Sequence, residues 1–381
     1  MNIAVVGAGL MGRAAVYDLA VNPDVKKIGL FDIDLKLARE VGKKYGKGKS
    51  VAKKFDAGNT REAAKLFKQY DAVISAVTYK YNPGLAKAAI KAKAHFFDLG
   101  GNNSAVNQEF KLSGEAKKAG LVVIPDCGLA PGMVSVIAAG DIAKFDKPES
   151  LHIRVGGLPQ KPRLPLNYQM VFSAEGLINE YYEPVVAIRK GKKITLPSMT
   201  DLESLSFKGI GKLEAFTTSG GTSTLPKTYG KILKNLDYKT IRYPGHCQLF
   251  KMMMDIGLCE WDAINVDGVK VSPRSVLKTV LDNNLSFGEP DLVLVRVTTE
   301  GKIKGKNKKY ISEIIDKQDM KTGLTAMMRC TSFPITIIAW MACAGHIKKR
   351  GVVPQEKAVD PELFRMELAK RKIKLTSRWG R

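Results

Sequence analysis

Residues 1–12, MNIAVVGAGLMG, decide the fold. IAVVGA (3–8) is an apolar run suited to a strand buried on both faces, and a helical pattern follows from Leu10 to Leu19, closed by Asn22-Pro23. Between them stands Gly7-x-Gly9-x-x-Gly12, with a separate reason for each glycine. Gly7 allows the tight turn, Gly9 lets a pyrophosphate approach the backbone, and Gly12 lets the helix lie close on the strand. The helix amino terminus supplies N–H donors to the phosphates. Asp32 closes the second strand, KKIGLFD (26–32), 20 residues after Gly12, where a carboxylate accepts both ribose hydroxyls. The combination predicts a dinucleotide site; a purely structural glycine turn is the alternative. A 2′-phosphate beside Asp32 would meet like-charge repulsion, so NAD is expected over NADP, with Arg39 and the lysines after it as the opposing influence. Asp34 reads as a helix cap. Asp56 reads as an adenine contact or as part of a cap at Asn59-Thr60.

Outward from this turn, strand and helix patterns alternate. Strands are expected at Val51–Phe55, 71–78 (DAVISAVT), 94–99 (AHFFDL) and 121–126 (LVVIPD), with helices such as Pro83–Ala92 and Ser104–Lys118 between them. This is the rhythm of an α/β fold, a Rossmann doubly wound parallel sheet. The cofactor then crosses the switch point between the first and fourth strands. Its candidate contacts are Gly7, Gly9, Leu10, Met11, Gly12, Asp32, Asp56, Ala76, Val77, Thr78 and Cys127. After Pro131-Gly132 a helix is expected to run to Phe145, and the rhythm then changes. SLHIRVGG (150–157), VVAIRKGKKITL (185–196), YKTIRY (238–243) and the long stretch 291–315 look like antiparallel strands and hairpins of an α+β second domain. Residues 327–349 read as a buried helix that Pro334 kinks or starts, and a last helix begins at Asp360-Pro361. The expected division is 1–130 for the dinucleotide domain, 131–326 for an α+β substrate and oligomerisation domain, and 327–381 for a segment returning to the first.

Composition narrows the class. The 381 residues are 45% apolar and 26% charged, a globular balance that excludes a disordered, collagen-like or disulfide-stapled chain. The longest apolar stretch, Pro334–Gly345, is short of the ~20 residues that span a bilayer, and the amino terminus lacks a basic flank and a cleavage box. Cys127, Cys247, Cys259, Cys330 and Cys343 form no C-x-x-C pair, so a reduced, cytoplasmic setting is expected. His246 beside Cys247, with Cys259 beyond, fits no structural zinc spacing, and no metal is expected. The net charge of +24 includes scattered lysine clusters at 43–54, 302–309 and 370–374 without the repeated aromatic interleaving that stacks bases, so neither nucleic acid nor membrane is an expected partner.

The quoted motifs resemble a known family. GAGLMG with FDID, DLGGN (98–102) and PDCGLAPGM (125–133) resemble the saccharopine dehydrogenase-like oxidoreductases. VFSAEGLINEYYEPVVAIRKGK (171–192), LEAFTTSGGTSTL (213–225) and LDYKTIRYPGH (236–246) resemble the lysine 6-dehydrogenase branch, and the likeness runs from Met1 to about Arg350. NADP-type members tend to carry an arginine just after the second strand, where this chain has Asp32-Ile33-Asp34. The resemblance implies NAD-linked oxidation of the ε-amine carbon of L-lysine, giving the 6-semialdehyde that cyclises to piperideine-6-carboxylate, with ammonia and NADH. It also implies a homo-oligomer, dimer or larger. A saccharopine- or carboxynorspermidine-type enzyme, or a non-catalytic NAD-binding sensor, are the alternatives.

That chemistry makes demands on residues. The ε-ammonium, with an ordinary pKa of about 10.4, must lose its proton, and water must then attack the imine with help from a base. Asp98 and Asp126, at strand ends, are the leading candidates, with Tyr79 and Tyr168 as hydrogen-bonding partners and Glu175 as a further carboxylate. Each also reads as a loop cap or ion-pair member. Cys127 reads as small packing beside the nicotinamide. The substrate carboxylate needs a cation and hydroxyls: Arg242, with Ser219, Thr222 and Ser223 from the 218–223 loop, are the candidates, and Arg154 competes. Glu175 or Glu214 could take the α-ammonium. His246 reads as a buried, satisfied imidazole.

Overall fold

The computed structural model describes residues 1–380, divided into two compact units: Met1–Ala143 with Met328–Leu375, and Lys144–Met327 with the residues from Thr376. The first unit holds β1 (Asn2–Val6), β2 (Lys27–Asp32), β3 (Ser50–Lys54), β4 (Ala72–Ser75), β5 (His95–Asp98) and β6 (Val122–Ile124). Together with the short strand Gly351–Val352 they form a seven-stranded parallel sheet, in the order Gly351–Val352, β6, β5, β4, β1, β2, β3. The order reverses between β1 and β4, which is the switch point the glycine turn requires. Ile3, Ala4 and Val5 are fully buried, as an apolar strand covered on both faces must be.

Helices α1 (Leu10–Val21), α2 (Leu35–Tyr45), α3 (Thr60–Leu66) and α4 (Asn82–Lys91) fill the crossovers. Asp34 caps α2, accepting from the Lys36 and Leu37 N–H groups, and Asn59 caps α3. The helix expected over 104–118 is two, α5 (Asn103–Phe110) and α6 (Ser113–Lys118), with Lys111-Leu112 between. The first unit also keeps α7 (Met133–Ile142), so it runs past residue 130 to Ala143; nearly every residue of α7 is buried, and the helix closes on this core.

The carboxy-terminal segment belongs to the first unit up to Leu375. Buried Asp18 of α1 ties it down. Arg371 donates to both Asp18 oxygens at 2.8 and 2.9 Å, and the Thr336 hydroxyl donates at 2.6 Å. Asp18→Ala would strand a largely buried guanidinium that keeps only Glu367. We expect a loss of about 2–3 kcal/mol in chemical denaturation, with most of it recovered in Asp18→Ala/Arg371→Leu. Equal loss in both variants would refute the staple.

The second unit holds β7 (Lys147–Pro159), β8 (Val185–Arg189), β9 (Lys192–Leu196), β10 (Glu203–Phe207), β11 (Gly211–Thr217), β12 (Asn235–Arg242), the separate hairpin β13 (Ile264–Val266) and β14 (Val269–Val271), and the long hairpin β15 (Asp291–Ile303) and β16 (Lys306–Lys317). Its main sheet has nine strands, with the path β10, β11, β12, β7, β15, β16 and the final strand Leu375–Gly380, and with β8 and β9 paired off β12. The last strand therefore joins the second unit, where the sequence places it with the first. β12 pairs with β7 in parallel rather than antiparallel, because a long crossover separates the two. Helices α8 (Ala174–Tyr182), α9 (Leu225–Tyr229), α10 (His246–Asp255) and α11 (Pro273–Asn284) belong to this unit. The helix Ala326–Cys343 contains Pro334 in its interior and is long and apolar enough to cross a membrane by composition, yet 83% of it is buried against protein.

Candidate active site

The first unit builds a dinucleotide cradle. Gly7 has φ +103°, and a Cβ there would stand 2.7 Å from the Ala76 carbonyl oxygen. A Cβ on Gly12 would stand 1.8 Å from the Gly7 oxygen, while one on Gly9 would meet nothing within 4 Å. The glycines thus divide as the motif demands: one turns, one leaves open space, one permits close packing. Leu10 and Met11 open α1 beside that space, where N–H groups are unpaired by the helix. Asp32 Oδ2 accepts from the Ala8 N–H at 2.6 Å and Oδ1 from the Asp34 N–H at 2.9 Å, so this carboxylate is braced against the turn. A cavity of about 310 Å³ lies next to it, lined by Asp32, Ile33, Phe55, Asp56, Ala76, Val77, Thr78 and Tyr81, among others. Its aromatic and aliphatic walls with carboxylates at the rim suit an adenosine. Asp56 also accepts from the Gly58 N–H. Ile33 and Tyr81 carry no motif signal and emerge only from the folded cavity.

At the ends of β5 and β6 the structure gathers carboxyl groups. Asp98 is fully buried; its Oδ1 accepts from the Gly100 and Asp126 N–H groups at 2.7 and 3.2 Å. Asp126 is also buried, with φ +60°, and its carbonyl accepts from Gln355 Nε2 at 2.8 Å. Buried Glu109 of α5 faces Asp98, and sequence reading missed it because nothing in 103–110 marks it. Burial raises Asp98; burial and the charges of Asp98 and Asp126 push Glu109 far above the carboxylate range. A proton kept on Glu109 supplies the donor that Asp98 Oδ2 otherwise lacks. Cys127 lies in the same knot, its thiol bonded to the Ile124 carbonyl at 3.2 Å. Burial and the same carboxyls push it well up, so it is a packing residue and not a thiolate nucleophile. Tyr79 is half-buried, with its ring against Gly101, and is the accessible member of the candidate catalytic group.

In the second unit, Arg242 is 2% exposed. Its Nε donates to the Tyr181 hydroxyl at 2.6 Å and its Nη1 to the Ile241 carbonyl at 2.8 Å, and it lies 4.8 Å from the centre of the Tyr168 ring. His246 Nδ1 lies 2.9 Å from the Leu166 carbonyl, so that nitrogen carries the proton and Nε2 accepts from Tyr181 at 3.1 Å. Burial and the neighbouring guanidinium push His246 down to about 3, which keeps it neutral. Burial pushes Tyr168 up to about 12. His246 is thus the satisfied core imidazole that its position suggests, stacked among Tyr168, Tyr181, Phe216 and Phe250.

Other candidates are committed elsewhere. Arg154 pairs with Glu203 and Asp237. Glu175 pairs with fully buried Arg274 at 2.9 Å. Glu214 accepts from the Gly245 and Cys247 N–H groups, capping α10. The Ser219 and Thr222 hydroxyls turn to the Asn179 and Val186 carbonyls, and Ser223 is half-buried at φ +41°. A carboxylate that the sequence did not single out, Glu180, stands beside the Arg242 cluster: Thr218 and Thr240 both donate to its Oε1.

Family models match nearly the whole chain. Residues 3–124 match the saccharopine dehydrogenase NADP binding domain, and residues 128–373 match the saccharopine dehydrogenase C-terminal domain. The chain belongs to the saccharopine dehydrogenase family. It is 25% identical over 301 residues to "Saccharopine dehydrogenase [NADP(+), L-glutamate-forming]" of Saccharomyces cerevisiae, covering 77% of this chain but 66% of that enzyme. It is also 25% identical over 340 residues to the carboxynorspermidine synthase of Vibrio cholerae, covering 80% and 79%. Its fold matches the apo saccharopine dehydrogenase (L-Glu forming) structure from S. cerevisiae with a TM-score of 0.84 at 20% identity, over 100% of both chains. Family membership makes this chain an oxidoreductase whose residues 3–124 form a pyridine-nucleotide binding domain.

Proposed function

We propose that this family member is an NAD-dependent dehydrogenase that oxidises the ε-amine carbon of L-lysine and releases ammonia, a lysine 6-dehydrogenase. One observation carries the substrate assignment. Arg154, Arg163, Arg189, Arg274, Arg296 and Arg378 each pair with a carboxylate, and Arg242 alone among the described arginines of the second unit does not. A buried guanidinium without a counter-ion is costly, and a substrate carboxylate relieves it. One such cation suits an amino acid with one carboxylate better than saccharopine, which carries three.

The cofactor would be held by the glycine turn and the first N–H groups of α1, with its adenosine in the cavity behind Asp32. When bound, its nicotinamide accepts a hydride equivalent from the substrate carbon. Arg242 fixes the carboxylate end, with Tyr181 and neutral His246 fixing Arg242 in turn. Tyr79 with Asp98 and Asp126 is the proposed set that takes the ε-ammonium proton and activates water. The NAD preference rests on Asp32-Ile33-Asp34, against relatives named for NADP. Because Asp32 also braces the turn, Asp32→Ala should weaken both cofactors, and NAD about tenfold or more beyond NADP. Equal losses in fluorescence titration would undo the NAD assignment.

A saccharopine-type activity is the second reading, favoured by the names of the relatives. A panel of L-lysine, saccharopine and polyamine adducts with NAD and NADP, reading ammonia and NADH together, separates the two. Lysine-dependent ammonia supports the first, and oxo-acid formation without ammonia supports the second. A reducing cytoplasmic setting and self-association to a dimer or larger complete the proposal; none of the five cysteines forms a disulfide, which fits the former.

A further inference from the structure

We propose that Glu180 is the acceptor for the substrate's α-ammonium group, so that Glu180 and Arg242 together read the zwitterionic head of an α-amino acid. The assignment rests on the reading of Arg242 as the carboxylate site. β12 lays Tyr238, Thr240 and Arg242 along one face by its two-residue alternation, and α8 brings Glu180 and Tyr181 to that face. The two charged groups are neighbours, yet no ion pair joins them. Each is fixed through part of its polar atoms and leaves the rest unused. Arg242 is held through Nε and Nη1, and its Nη2 makes no hydrogen bond with any described residue. Glu180 is held through Oε1 by two threonine hydroxyls, themselves 2.8 Å apart, and its Oε2 accepts from no described residue.

The geometry is that of a prepared site. A carboxylate on a helix is ordinarily solvated and mobile, but two side-chain donors converge on one oxygen of this one and leave the other unused. Three other carboxylates of this unit are already committed: Glu175 to Arg274, Glu203 to Arg154 and Lys239, and Glu214 to two backbone amides. A guanidinium and a carboxylate that stand near each other without pairing each keep hydrogen-bonding capacity for a group of opposite charge. An α-amino acid head supplies carboxylate to one and ammonium to the other. A plain diamine satisfies only Glu180, and an amino acid lacking its α-amine satisfies only Arg242. The pair therefore sets specificity as well as affinity.

Glu180→Gln keeps the size and the threonine contacts and removes the charge. Binding is measured by calorimetry on the full chain, without cofactor, for L-lysine and for 6-aminohexanoate, which lacks only the α-amine. The expected result is a loss of about tenfold to a hundredfold for L-lysine and less than about twofold for 6-aminohexanoate. Equal losses for both ligands would make Glu180 a structural residue, and no loss for either would remove it from the site; both overturn the assignment. If the wild type binds saccharopine and not lysine, the lysine reading fails by itself. The same variant is then tested with saccharopine and N-(5-carboxypentyl)glutamate, its counterpart without the primary α-amine. A selective loss for saccharopine upholds Glu180, and a shared loss or none rejects it. Wild-type protein that binds neither substrate overturns both assignments.

Discussion

Replacing Arg242 by glutamine is expected to lower kcat/KM for L-lysine by about 10²–10³-fold. The effect is electrostatic. A bidentate guanidinium–carboxylate pair forms two charge-assisted hydrogen bonds in a desolvated site, each contributing about 1.5–3 kcal/mol, and roughly 3–4 kcal/mol together corresponds to that range. Arg242 also holds the Tyr181 hydroxyl, which in turn holds His246, so the variant perturbs packing. L-Lysinamide separates the two effects, because it keeps both amines and replaces the carboxylate by a neutral amide. The variant should lose far more on lysine than on lysinamide, with a thermal midpoint shifted by only a few degrees. A parallel fall on both substrates would show that Arg242 serves the fold and does not recognise the carboxylate.

Gly12→Ala should abolish measurable dinucleotide binding and destabilise the first unit, whereas Gly9→Ala should weaken binding and leave stability intact. The contrast follows from what each new methyl group would meet. At Gly12 the methyl would lie 1.8 Å from the Gly7 carbonyl oxygen and 2.8 Å from its carbon. Both are backbone atoms of the turn itself, so α1 must move away from β1, and overpacking of this severity costs about 3 kcal/mol or more. The same movement displaces the N–H groups intended for the phosphates. At Gly9 the methyl meets no protein atom within 4 Å and enters only the open space proposed for the pyrophosphate. Its effect should therefore appear in NAD titration, at about tenfold or more, and not in denaturation. Similar stability losses for the two variants would mean that the motif is a structural turn.

The sequence made the first unit legible because its constraints are local. A glycine turn, an apolar strand and a carboxylate at the next strand end each state their role within a few residues of themselves. Caps at Asp34 and Asn59 are of the same kind. The proposed amine site was legible only in part, because its members come from distant segments. Arg242 could be chosen as a candidate, but Arg154 could not be set aside until Glu203 and Asp237 were seen to occupy it. Glu175 and Glu214 could be chosen from the sequence and Glu180 could not, and only the folded chain shows the first two committed to a buried arginine and to two backbone amides. Glu109 lies in a helix with no motif and matters because β5 and β6 end against it. The parallel pairing of β7 with β12 was hidden for the same reason, since alternation along a strand does not reveal its partner.

The central claim is that the carbon oxidised is the ε-carbon of lysine and that its hydrogen passes directly to NAD. Mass spectrometry of the NADH formed from L-[6,6-²H₂]lysine, with ammonia measured in the same reaction, tests it most directly. One deuterium in the NADH and one ammonia per NADH are expected. Unlabelled NADH, or labelled NADH formed without ammonia, would contradict it.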